Sequence, residues 1–329
     1  MTVVTLPRLG FLGVGWIGRN RMEALARDGL AEVSAVADSQ PAALDAAAEV
    51  APRAELSEDF EALLERNLDG IVIATPSALH AEQAIAALDR GMAVFCQKPL
   101  ARDAAETRRV LDAADRADRL LGVDLSYRHV EALRTAHRVV EAGEIGLLHS
   151  LDLVFHNAYG PDRPWFTDPA LSGGGCLIDL GTHLADLALW LTGASEFEVE
   201  TARTLALQGH RVEDNAMAEL SLGDEEVRAR LACSWFQSAG GECAFECTAW
   251  GTDGAVSVRN VGGSFYDFRA ELWRGTSAEA LVEPPDRWGG RAIASWAAQL
   301  ADDRSYDPAA EELELLARVL DGVYAEAGR

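Results

Sequence analysis

The sequence predicts an α/β protein of two domains: a doubly wound parallel sheet over residues 1–126, then an α+β domain with a large, mostly antiparallel sheet over 127–329. Three observations predict it. Short apolar runs alternate with amphipathic helical segments as far as Ser126, the pattern of a parallel sheet covered on both faces. After Tyr127-Arg128 the pattern changes to successive strands separated by turns. No low-complexity tract or linker divides the 329 residues, which suffice for two cores of ordinary size.

In the first half the expected strands are Leu9–Leu12, Val33–Ala37, Gly70–Ala74, Ala93–Cys96 and Leu121–Leu125. Between them the 3.6-residue period marks helices at Gly18–Arg27, Pro41–Val50, Asp59–Arg66, Leu79–Arg90 and Ala104–Arg119. Pro41 after a Ser39 cap opens one of these, and Gly91 closes another. In the second half a helix at Val130–Ala142 leads to a long strand, Leu148–Asn157, then to a loop rich in Gly, Pro and Trp, and to a helix at Cys176–Leu191. Alternation from Phe197 to about Leu272 gives strands including Thr201–Leu207, Ala216–Leu222, Val227–Trp235, Cys243–Trp250 and Ala255–Arg259. Helices at Trp288–Leu300 and Pro308–Tyr324 close the chain.

The net charge of −24 is spread along the chain, which argues against a nucleic-acid-binding surface. The opening MTVVTLPRLGFLG lacks the pattern of a signal peptide, and no apolar run is long enough to span a bilayer, so a cytoplasmic protein without a membrane partner is expected. Five cysteines without C-x-x-C spacing predict neither a disulfide framework nor a metal site. Cys243 and Cys247 fall on one face of a strand, as small core residues do.

Gly13-Val14-Gly15-Trp16-Ile17-Gly18 follows the first strand, opens the first helix, and is followed about 20 residues later by Asp38 at the end of the second strand. Together these form the fingerprint of a dinucleotide-binding Rossmann unit. Gly13 permits the tight turn, Gly15 lets backbone approach a pyrophosphate, and Gly18 lets helix pack on strand. The N–H groups at Trp16, Ile17 and Gly18 would meet phosphate oxygens. Asp38 would accept the adenine-ribose hydroxyls and repel a 2′-phosphate, favouring NAD over NADP; it also suits a turn residue before the next helix.

Three further segments complete a pattern: Ala74-Thr75-Pro76-Ser77-Ala78-Leu79-His80 after the third expected strand, Cys96-Gln97-Lys98-Pro99-Leu100 after the fourth, and Gly173-Gly174-Gly175-Cys176-Leu177-Ile178-Asp179-Leu180-Gly181-Thr182-His183 in the second half. With the glycine fingerprint, in this order, they resemble the Gfo/Idh/MocA oxidoreductases, a family that includes glucose-fructose oxidoreductase and inositol dehydrogenases. The resemblance implies a Rossmann domain joined to a domain with a large open sheet, through which homodimers or homotetramers form. It implies cofactor contacts from Thr75, Pro76, His80, Gln97 and Lys98, and a catalytic set of Lys98, Asp179 and His183. The family pattern is usually Glu-Lys-Pro, and here Gln97 replaces the glutamate.

The chemistry agrees with that assignment. Asp179 and His183, four residues apart, share one face of an α-helix, and Lys98 ends a parallel strand where open α/β sheets place ligands. Oxidation of a secondary alcohol needs a base for the hydroxyl proton while hydride leaves for nicotinamide. An unperturbed imidazole titrates near neutrality, so His183 suits the base, with Lys98 stabilising the oxygen, or the two exchange roles. Asp179 would orient them or bind a substrate hydroxyl. A sugar, inositol or related polyol would also meet Arg128 at the domain junction, Asn157 at the end of the long strand, and Trp165 in the loop. Arg128 suits an ion pair with an acid equally, and Trp165 an anchor for its loop. Two other activities remain open: a nucleotide sensor without turnover, for which Gln97 speaks, and a tightly NAD-bound enzyme using transient oxidation for elimination or glycoside cleavage.

Overall fold

Residues 6–224 and 226–328 are described by the computed structural model; the first five residues of the N-terminal segment read above lie outside them. Strand and helix alternate as β1 (Arg8–Leu12), α1 (Trp16–Asp28), β2 (Glu32–Ala37), α2 (Pro41–Val50), β3 (Glu55–Ser57), α3 (Phe60–Leu64), β4 (Gly70–Ile73), α4 (Ser77–Asp89), β5 (Ala93–Cys96), α5 (Ala104–Ala117) and β6 (Leu121–Val123). The six strands form one parallel sheet in the order β3-β2-β1-β4-β5-β6. Burial on both faces accounts for the unbroken apolar β4 and β5, Gly-Ile-Val-Ile and Ala-Val-Phe-Cys, every residue of which is buried. β3 was absent from the sequence expectation because three residues at a sheet edge carry no periodic signal. At α2, Pro41 takes the first helical position, but the cap position belongs to Gln40 rather than Ser39.

The second unit takes Arg102–Ala104, Tyr127–Trp288 and the segment from Glu314 onward. It contains α6 (Glu131–Glu141), β7 (Leu148–Asn157), the short α7 (Pro169–Ser172), a π-helical turn at Leu177–Gly181, α8 (Thr182–Thr192) and strands β8 (Phe197–Leu205), β9 (Asn215–Leu222), β10 (Val227–Ser234), β11 (Cys243–Gly251), β12 (Ala255–Asn260), β13 (Phe268–Arg274) and β14 (Ser277–Val282). Its eight-stranded open sheet runs β14-β13-β12-β11-β7-β10-β9-β8, antiparallel at every pairing except β7 with β10. Alternate residues are buried, among them Leu151, Leu153 and Phe155 of β7 and Cys243, Phe245 and Cys247 of β11. The other face carries ion pairs such as Asp152–Arg230 and Glu200–Arg228.

The last two helices are α9 (Arg291–Asp302) and α10 (Glu312–Glu326). The expected second domain ran unbroken to residue 329, yet Gly289–Leu313 returns to the first unit. Trp296 of α9 is the reason. Its ring stands 5.5 Å from Phe95 and lies over Gly70 and Gly122, where a Cβ would come within 2.9 and 2.6 Å of the indole. Two strand glycines thus leave a socket that one tryptophan fills, and removing such a ring costs about 3–5 kcal/mol. Among the described residues no helix is long and apolar enough to cross a membrane.

Candidate functional site

In the first unit the glycine turn separates structural from ligand-facing roles. Gly13 has φ +81°, and a Cβ there would lie 2.6 Å from the Ala74 carbonyl oxygen. At Gly18 a Cβ would lie 2.1 Å from the Gly13 carbonyl oxygen. Both positions require glycine to fold. Among the described residues beyond its chain neighbours, nothing lies within 4 Å of where a Gly15 Cβ would stand, so its lack of a side chain serves no internal packing. No side chain caps α1, whose first turn begins at the exposed Trp16 and continues through half-buried Ile17. Open backbone at a helix N-terminus fits the phosphates of a dinucleotide. Asp38 closes the turn: one carboxylate oxygen accepts the Val14 N–H at 2.8 Å and the other the Gln40 N–H at 2.9 Å. These two bonds are the turn role weighed from the sequence, and each oxygen retains a second acceptor site.

The loops after β4 and β5 are tied by His80. Its ring nitrogens lie 2.7 Å from the Pro99 carbonyl oxygen and 2.8 Å from that of Thr75, and the residue is 1% exposed. Burial pushes its pKa down against the pull of those carbonyls. The His80 ring thus bridges the Thr75-Pro76 and Lys98-Pro99 segments, where the sequence placed a cofactor contact. Thr75 turns its hydroxyl to Gln83 at 2.5 Å. Gln97 is buried and donates its side-chain amide to Asp124, which also pairs with Arg21. Lys98, half-buried at the end of β5, is the only lysine in the chain beside 28 arginines. That count was the strongest signal overlooked in the sequence, because every other cationic position has been filled by arginine.

In the second unit the triple glycine is a packing device. Gly173 has φ +84° and ends α7. A Cβ on Gly174 would lie 2.0 Å from the Tyr324 hydroxyl, and one on Gly175 would lie 1.8 Å from the Glu213 carbonyl oxygen. Glu213, 2% exposed, accepts the N–H groups of Gly175 at 2.8 Å and Leu177 at 3.1 Å, and the Tyr324 hydroxyl at 2.8 Å. The sequence reading passed over Glu213, whose neighbours gave no periodic or motif signal.

From that anchor the chain enters the π turn, a winding often found at functional sites. The expected continuous α-helix from Cys176 is therefore corrected: Asp179 lies in the π turn and His183 in the first turn of α8. A Cβ on Gly181 would stand 2.6 Å from Leu177, and the Thr182 hydroxyl bonds the Ile178 carbonyl at 2.6 Å. The π winding is wider than an α-helix, so the simple one-face spacing does not apply. Trp235 donates its indole N–H to Asp179. His183 is 6% exposed, with its ring 4.6 Å from that of Tyr127. Tyr127 in turn packs against Phe155, Phe245, Phe268 and Trp288, and burial raises its pKa well above the ordinary value.

The three expected substrate contacts fare differently. Arg128 makes a bidentate pair with the fully buried Asp186 of α8, Nη2 to Oδ1 at 2.6 Å and Nε to Oδ2 at 3.1 Å, so its guanidinium helps hold that helix. Asn157 keeps a buried Oδ1 with no hydrogen-bond partner among the described residues. Trp165 stacks on Phe166 at 3.8 Å, and Phe166 meets Trp235 edge-on at 6.5 Å.

Comparison with known proteins places both halves. Residues 7–125 match the oxidoreductase family with an NAD-binding Rossmann fold, and residues 133–257 match the GFO/IDH/MocA C-terminal domain. The rhizopine catabolism protein MocA of Rhizobium meliloti is 32% identical over 204 residues, 61% of this chain and 62% of that protein. The chain thus spans less than two thirds of that relative. Two solved structures share the fold. One is KijD10, a 3-ketoreductase from Actinomadura kijaniata with NADP and TDP-benzene (TM-score 0.87, 24% identity, 98% of each chain). The other is levoglucosan dehydrogenase with NADH (TM-score 0.83, 22% identity, 98% of this chain and 97% of that one).

Proposed function

This chain belongs to the GFO/IDH/MocA oxidoreductase family, and from that premise we propose that it interconverts a secondary alcohol and a ketone on a sugar, inositol or similar polyol. One observation carries the reading: the chain's only lysine ends β5 in the same sheet whose α1 presents open backbone at Gly15. When bound, a nicotinamide dinucleotide supplies the hydride acceptor or donor. The open turn from Gly13 to Gly18 would hold its pyrophosphate, and the Asp38 carboxylate favours the free ribose hydroxyls of NAD over the 2′-phosphate of NADP.

His183 takes the hydroxyl proton, because an imidazole exchanges protons near neutrality. Lys98 donates a hydrogen bond to the same oxygen and stabilises its developing negative charge. Asp179, held by Trp235, binds a neighbouring hydroxyl, with Asn157 and Trp165 as further substrate contacts. The exposed face of the eight-stranded sheet, with its paired charges and with Trp250 and Trp273, suits self-association into a homodimer or homotetramer.

The test mixes protein with NAD or NADP and a panel of polyols while nicotinamide absorbance is followed. Turnover with NAD preferred is expected. Lys98→Ala and His183→Ala should each abolish turnover while retaining NADH binding. Full activity in both variants would sink the assignment, and sugar product without net NADH would replace it with transient oxidation.

A further inference from the structure

Two buried side chains of the first unit converge on a single oxygen atom of a third. Oδ2 of Asp124 accepts Arg21 Nε at 2.5 Å and the amide nitrogen of Gln97. Exposure is 6% for Arg21, 1% for Asp124 and 8% for Gln97, so water cannot substitute for any member. Asp124 stands just beyond β6, Gln97 just beyond β5, and Arg21 on α1. The backbone is equally fixed, with the Gln97 N–H on the Ile73 carbonyl at 2.8 Å and the Asp124 N–H on the Cys96 carbonyl at 2.9 Å.

We propose that Arg21, Asp124 and Gln97 form a positioning unit for Lys98, in which the carboxylate at 124 replaces the one that the family pattern carries at 97. The proposal rests on the catalytic assignment of Lys98 made above. An ionised carboxylate only accepts hydrogen bonds, so Gln97 must present its NH2 group to Asp124 and cannot rotate without leaving that oxygen short of a donor. Residue 97 is therefore locked in main chain and side chain, and Lys98 follows it directly. Arg21 extends the lock to α1, the helix that opens at Gly15. The trio holds one positive and one negative charge. A glutamate at 97 would set two carboxylates against one buried guanidinium, and one of them would have to take up a proton or move. Gln97 is thus the residue that keeps this charge arrangement neutral, and its presence is no sign of a silent site.

The experiment compares Gln97→Glu, Asp124→Asn and the double variant Gln97→Glu/Asp124→Asn in the full chain, reading thermal midpoint, NADH affinity, kcat and KM. Each single change should lower kcat about tenfold or more with KM for the polyol within about threefold, and the double variant should return to within about threefold of the parent, because it restores one carboxylate to the trio. A parental rate in Gln97→Glu, or a double variant no better than the poorer single, overturns the proposal. So does a lowered thermal midpoint with an unchanged kcat, which would make the trio purely structural. Should the parent turn over no polyol, the catalytic reading fails by itself. NADH affinity then decides the coupling: recovery in the double variant supports it, and additive loss overturns it.

Discussion

Trp235 donates its indole N–H to Oδ2 of Asp179 across 3.0 Å. The indole is 3% exposed, so the carboxylate is held by a donor that water cannot replace. A hydrogen bond to a charged group contributes about 1.5–3 kcal/mol. Trp235→Phe keeps the ring and removes the donor, and should lower kcat/KM by about tenfold to a hundredfold while preserving the fold. Steady-state kinetics with the preferred polyol, beside far-ultraviolet circular dichroism, checks this.

Gly15 and Gly18 look alike in sequence and should behave oppositely. Gly15→Ala adds a methyl group to open space and should keep the parental thermal midpoint while weakening NADH binding by about tenfold or more. Gly18→Ala forces a Cβ against the Gly13 carbonyl oxygen and should lower the midpoint itself. Thermal scans and NADH fluorescence titration on the two variants separate ligand space from packing space.

Arg128→Met removes the guanidinium from the buried Asp186 carboxylate. Breaking a buried pair from one side costs about 3–5 kcal/mol. Denaturant unfolding should therefore show a large loss of stability. A normal unfolding curve with a raised KM would return Arg128 to the substrate.

His80 gives the acid side of the stability profile a defined sign. Burial holds its folded pKa below the ordinary 6.5, so the unfolded chain binds a proton that the folded chain refuses. This contribution is fully present above 6.5 and is lost as pH falls through 6.5 toward the depressed folded value. His80→Gln should reduce the difference in urea midpoint between about pH 7.5 and pH 5.5. His156, also pushed down by burial, contributes with the same sign. An undiminished difference in the variant would remove His80 from that role.

Local chemistry made much of this molecule legible. The apolar runs of β1, β2, β4 and β5 and the close approach of Gly18 to Gly13 act within a few residues of themselves, and there the sequence and the structure agree. What escaped were relationships across long separations. Asp186 reveals its purpose only beside Arg128, and Glu213 only beside Gly175 and Tyr324. The π turn escaped for a different reason: its wider winding follows from glycines meeting neighbours that no helical period announces. Lys98 stands between these cases, since its motif was visible but its solitude had to be counted.

The return of Gly289–Leu313 to the first unit has a consequence for ancestry and for engineering. A chain cut after Ser126 would leave the Phe95 side of the parallel sheet without Trp296, exposing the hollow over Gly70 and Gly122. The nucleotide half cannot then be inherited or transplanted as a simple N-terminal module. Any recombination that exchanges it must make two crossovers rather than one, and homologous shuffling should favour parents that already agree at both seams.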